Sequence, residues 1–131
     1  MTVHELSKLY YIKKLINRDT QRLNQLEARL QPKAANVSGA VKTSSPKNVI
    51  EEITPEIIDL KERIRREREE YIKEQAVIED YIGTVDNYQD RLILLHRFVD
   101  LMSWRQVARR LGGKNTADSV RKACYRFLKK N

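Results

Sequence analysis

The residues best placed to do chemistry lie near the end of the chain. At 100° per residue, one face of the segment from Asn115 to about Lys130 carries Asp118, Ser119, Lys122, Tyr125, Arg126 and Lys129, with Arg121 on the flank. Asn, Asp, Ser and Lys can read base edges in a duplex groove, while Arg and Lys neutralise phosphates and set register. The other reactive side chains form no catalytic constellation. Cys124 falls among the inward positions Val120, Ala123, Phe127 and Leu128 and reads as packing. His4 and His96 are far apart, without Cys or acid partners at ligand spacing, so no metal site is expected. Gly112-Gly113 follows a helical pattern and lacks the Lys-Ser/Thr of a phosphate loop. Glu67 and Glu74 stand one heptad apart, about 10 Å along a helix, and read as interruptions of an apolar seam. No enzymatic activity and no cofactor are expected.

The charge distribution supports a polyanion partner. Residues 86–131 hold eleven Lys and Arg against four Asp, a net of +7, out of +8 for all 131 residues. Further bases lie just before the terminal segment: Arg105, Arg109, Arg110 and Lys114. With Asn115, Thr116, Asp118, Ser119, Arg121, Lys122, Arg126 and Lys129 they make up the candidate DNA-binding set. There is no apolar run near 18 residues, which argues against a membrane span. The early Glu5 argues against a secretory signal. The single cysteine excludes an internal disulfide and suits a reducing cytoplasm.

These residues must be positioned by helices. Val3 to Leu30 carries a seam at Leu9, Ile12, Ile16, Leu23, Leu26 and Leu30, with Asp19 as its one polar interruption. Residues 31–54 read as a polar connector, with at most a helical turn around Val49–Ile53. Thr54-Pro55-Glu56 resembles a helix start, and Gly83 a left-handed helix end. Between them Ile57, Leu60, Ile64, Tyr71, Ile78 and Tyr81 form a second seam, so the two segments should pair as an antiparallel hairpin. Three shorter patterns follow. Asn87–Leu101 has Tyr88, Leu92, Leu95, Phe98 and Val99 on one face. The next opens on the Ser103–Gln106 capping box, turns Trp104, Val107, Ala108 and Leu111 inward, and stops at Gly112-Gly113. The last opens on Asn115 and Asp118 as a second cap-like pair. Small Ala108 and Ala123 permit a close, steep crossing of the last two.

A short helix, a glycine turn and a polar-basic helix make the pattern of a helix-turn-helix. The stretch Ser103-Trp104-x-x-Val107-Ala108-x-x-Leu111-Gly112, then Val120 and Arg126-x-Leu128, resembles region 4 of sigma-70-type factors. Together with the N-terminal segments, the whole is similar to small regulators of Gram-positive phages, the RinA/ArpU-like late-gene activators. The resemblance covers about 38 residues by motif and the rest by architecture only. It implies promoter-proximal DNA binding and contact with RNA polymerase. Leu101-Met102 stands where such modules usually have a glycine, so a helical first turn is expected there.

The resulting expectation is an all-α chain: a long antiparallel helical hairpin, residues 1–83, followed by a three-helix helix-turn-helix module, residues 86–131. Its expected role is transcription regulation on double-stranded DNA in a bacterial host cytoplasm, with the hairpin serving as a homodimer or partner surface. The alternatives are an adaptor that binds RNA polymerase or a host factor through the hairpin, and a DNA-packaging subunit.

Overall fold

The computed structural model describes residues 1–30 and 46–130, with 46–53 as backbone only. Every regular element among the described residues is helical: α1 (Val3–Leu6), α2 (Lys8–Leu30), α3 (Pro46–Gly83), α4 (Tyr88–Leu94) continued by a π-helical turn (Leu95–Val99), α5 (Trp104–Leu111) and α6 (Ala117–Lys130). None of them is long and apolar enough to cross a membrane.

The N-terminal helix is interrupted where the periodicity runs through. Thr2 caps α1 reciprocally with Glu5, and the Ser7 hydroxyl donates to the Val3 carbonyl at 2.7 Å, separating α1 from α2. The α3 helix starts at Pro46 instead of Thr54, so Pro55 lies inside it. In sequence, Val49 and Ile53 continue the 3/4 spacing of Ile57, Leu60 and Ile64 across the proline, whose lost backbone donor and ring crowding the helix accommodates. Most of the expected connector, residues 31–45, lies outside the described residues. Nor does Gly83 take a left-handed conformation. Positive φ among the described residues is confined to Leu101, Gly112 and Gly113. The α3 helix instead ends in tight turns from Thr84 to the Tyr81 carbonyl and Val85 to that of Ile82. Arg91 then caps the exit, donating to the Val85 carbonyl from Nη2 (2.6 Å) and Nε (3.0 Å).

The chain divides into two compact units, Met1–Lys13 with Glu70–Asn131, and Lys14–Glu69. In the first, Leu6, Leu9, Ile78, Ile82, Val85, Ile93, Leu94, Phe98, Val107, Ala108, Val120 and Cys124 share one core. Each aliphatic side chain fully buried there is worth about 1.5–3 kcal/mol over exposure. The C-terminal helices therefore pack on residues from α1, α2 and the end of α3. Lys8 Nζ lies 3.8 Å from Glu74, and Lys13 sits 5.8 Å above the Tyr71 ring, so within this unit α2 and α3 run in opposite senses. In the second unit Leu26, Ile57, Leu60 and Ile64 are buried, with Leu23 and Leu30 packed against them. Asp19 is buried at 7% exposure and reaches Arg63 at 3.9 Å.

Of the face assigned to the first short pattern, Phe98 is buried in the core and Leu95 and Val99 pack against it, but Tyr88 and Leu92 do not face inward. Tyr88 is 77% and Leu92 43% exposed, while Ile93, Leu94 and Phe98 are buried. Tyr88 and Leu92 lie in the regular α4, where Ile93 and Leu94 are the buried positions, and the π turn that follows brings Phe98 into the same core. Leu101, where a helical turn is expected, has φ +60°, the conformation a glycine adopts at least cost.

Candidate nucleic-acid interface

The helices α5 and α6 are set by their ends. Gln106 N donates to Ser103 Oγ at 3.2 Å, and Ser103 N donates to Gln106 Oε1 at 2.9 Å, the reciprocal box expected from the sequence. Gly112 (φ +74°) and Gly113 (φ +65°) turn the chain after α5. The expected Asn115–Asp118 cap is replaced by Thr116–Ser119. Ser119 N donates to Thr116 Oγ1 at 3.1 Å, and Thr116 N donates to Ser119 Oγ at 2.9 Å. Asn115 is used otherwise, its Nδ2 donating to the Gly112 carbonyl at 2.8 Å and closing the turn. Asn115, Thr116 and Ser119 therefore serve the backbone of the turn in this structure.

Burial divides α6 into two faces. Val120 (1%) and Cys124 (2%) are buried, with Ala123, Phe127 and Leu128 packed beside them. Burial pushes the Cys124 thiol up to about 12, which keeps it protonated and unreactive near neutrality. Asp118, Ser119, Lys122, Tyr125, Arg126 and Lys129 are exposed, and Arg121 half-buried. On α5 and the turn, Arg105, Arg109, Arg110 and Lys114 are exposed too. Arg105, Arg109, Arg110, Lys114, Arg126 and Lys129 pair with no acid among the described residues.

Asp118 breaks that pattern. Its Oδ1 takes Arg121 Nη2 at 2.7 Å and its Oδ2 takes Lys122 Nζ at 3.0 Å, one turn along the same helix. Hydrogen bonds from Arg121 and then Lys122 hold the carboxyl below the usual carboxylate range.

Two of the eleven bases in the C-terminal segment face the protein. Arg91 grips the Val85 carbonyl, and Arg97 donates from Nη1 to the Met102 carbonyl at 2.9 Å while lying 4.5 Å over the Trp104 ring. Trp104 meets Tyr125 edge-to-face at 6.0 Å, so an Arg97–Trp104–Tyr125 column ties the π turn to α5 and α6. Arg97 has no sequence signal that separates it from a phosphate contact. Lys130, exposed at the end of α6, is absent from the candidate set, although the same charge argument includes it. Along one edge of the α6 C-terminal half, Met1, Thr2 and Val3 line a cleft of about 420 Å³ with Tyr125, Leu128 and Lys129. The N-terminal half of α6, with Asp118, Ser119 and Lys122, is not part of that lining. Among the described residues no three His, Cys, Asp or Glu side chains come together as a metal site.

Comparison with family models, curated proteins and solved structures found no match for this chain.

Proposed function

We propose that α5, the glycine turn and α6 form a helix-turn-helix, and that the chain is a sequence-specific regulator of transcription acting on double-stranded DNA in a phage or prophage setting. One observation carries this reading. The helix whose inner face is locked into the core by Val120 and Cys124 presents a basic outer face, in a stretch from Ser103 onward with nine bases and one acid. A groove-reading helix needs both properties, rigid support behind and donors in front. The resemblance of Ser103–Leu128 to sigma region 4 points the same way. The apolar stripes of α2 and α3 support their role as a hairpin that joins two copies or meets a protein partner.

The test is selection of duplexes from a random pool by the full chain, followed by titration of an enriched duplex across salt concentrations. The expected result is one enriched sequence, with log affinity falling linearly with log salt at a slope near −0.9 per neutralised phosphate. Lys122→Ala should lose roughly 1–3 kcal/mol on that duplex and relax the preference at one position. An unenriched pool, or a complex indifferent to salt, overturns the reading.

A second reading, the protein adaptor, is favoured by a cleft of about 490 Å³ lined by Tyr10, Tyr11, Phe98, Leu101 and Met102. Tyr11 is 61% exposed beside it. Capture of RNA polymerase that survives Arg126→Glu and loss of duplex binding selects this reading over the first.

A further inference from the structure

From Ser103 to Asn131 the sequence holds a single acid, Asp118, and it lies on the outer face of α6 between two of the nine bases. A carboxylate facing a duplex works against binding, because it repels phosphate and neutralises cations that would otherwise release counterions. Its position in the first helical turn favours the α6 dipole. That accounts for an acid at this position, but not for its hold on Arg121 and Lys122. Ser119 already serves the Thr116 cap, so the backbone start of α6 does not depend on Asp118.

Resting on the reading of α6 as the groove helix, we propose that Asp118 is a specificity-determining residue that competes with the duplex for Arg121 and Lys122, with a backbone phosphate for the first and a base edge for the second. On a non-target duplex the two cations stay with Asp118, and the phosphates meet a neutralised surface. On the target duplex, base-edge contacts bring α6 close enough for the cations to exchange partners. The net effect is weaker non-specific binding at little loss on the operator, so the ratio of the two affinities rises.

The experiment compares the unaltered full chain with Asp118→Asn and Asp118→Glu on the selected duplex and on a scrambled one of equal length, across salt. Asp118→Asn should bind the scrambled duplex roughly three- to tenfold more tightly near 0.1 M salt, with a slope steeper by about one to two units. Its gain on the selected duplex should be smaller, narrowing the specificity ratio. Asp118→Glu, which restores the charge, should return the slope on scrambled DNA to that of the unaltered chain. Circular dichroism at 222 nm on all three reads out helix content, which this mechanism leaves unchanged. Equal scrambled-duplex affinity and slope for Asp118→Asn and the unaltered chain overturn the role of Asp118 while leaving the groove reading intact. Failure of the unaltered chain to bind either duplex overturns both.

Discussion

The two compact units are built on different balances of forces. Among the described residues, 1–13 and 70–131 gather twelve buried side chains into one core drawn from every helical element there, whereas those of 14–69 bury Ile16, Leu26, Ile57, Leu60 and Ile64. The second unit is also where polar groups enter the seam. Asp19 is buried there, and among the described residues Thr20 Oγ1 and Glu67 Oε1 are buried without hydrogen-bond partners. Burial, then the facing Asp19 carboxyl, pushes Glu67 up to about 7. The difference separates two roles. Apolar packing holds the basic helix in place, and the paired-helix unit adds to its own apolar row contacts that charge and pH adjust.

The sharpest way to break this contrast is to open the dense core. Leu9→Ala should cost about 2–5 kcal/mol and lower α6 helicity and duplex affinity together, although Leu9 lies in α2. Thermal melts paired with binding titrations check it; a lower melting point with unchanged affinity would separate the core from the basic face. Backbone strain comes next. Gly112→Ala meets no neighbouring atom within 4 Å, so its cost is conformational, about 1–3 kcal/mol for holding alanine at φ +74°. An unaffected melt removes the turn from the account.

The pH response should belong to residues 14–69. Glu67 binds its proton more tightly folded than unfolded. Its stabilising increment is therefore complete below the usual carboxylate value near 4.5 and is lost as pH rises through about 7. Solvent screening limits this to roughly 1 kcal/mol. Amide exchange in α2 between pH 5 and 8 reads it, and Glu67→Gln should flatten the dependence. A pH-dependent loss of protection in α5 and α6 instead would reverse the assignment. The smallest effect is electrostatic. Arg109→Ala or Arg110→Ala should leave stability unchanged and flatten the salt slope of duplex binding by about one unit each.

Much of the dense unit was legible residue by residue. Ser103 and Gln106 announce a capping box, paired glycines announce the turn, and Val107, Ala108, Val120 and Cys124 fall inward on a simple 100° count. The misreadings have local causes. Tyr88 and Leu92 complete a 3/4 stripe with Leu95 and Val99, yet the positions α4 buries are Ile93 and Leu94. Asn115 and Thr116 are both capping types, and only the bond from Asn115 to the Gly112 carbonyl decides between them. Pro55 resembles a helix start because a proline costs nothing there, yet the apolar spacing continues through it. Leu101 at φ +60° is tolerated while its side chain packs against the core, a tertiary compensation without a local signature. The basic face was visible as composition, but the hold of Asp118 on two of its members is a matter of rotamers.

In the proposed reading the outer face of α6 meets a DNA groove. Amide hydrogen exchange of the full chain, with and without a saturating selected duplex, tests it most directly. New protection is expected in residues 116–126 and the turn before them, with residues 14–30 unchanged. Protection confined to residues 14–69, or none anywhere at saturation, contradicts it.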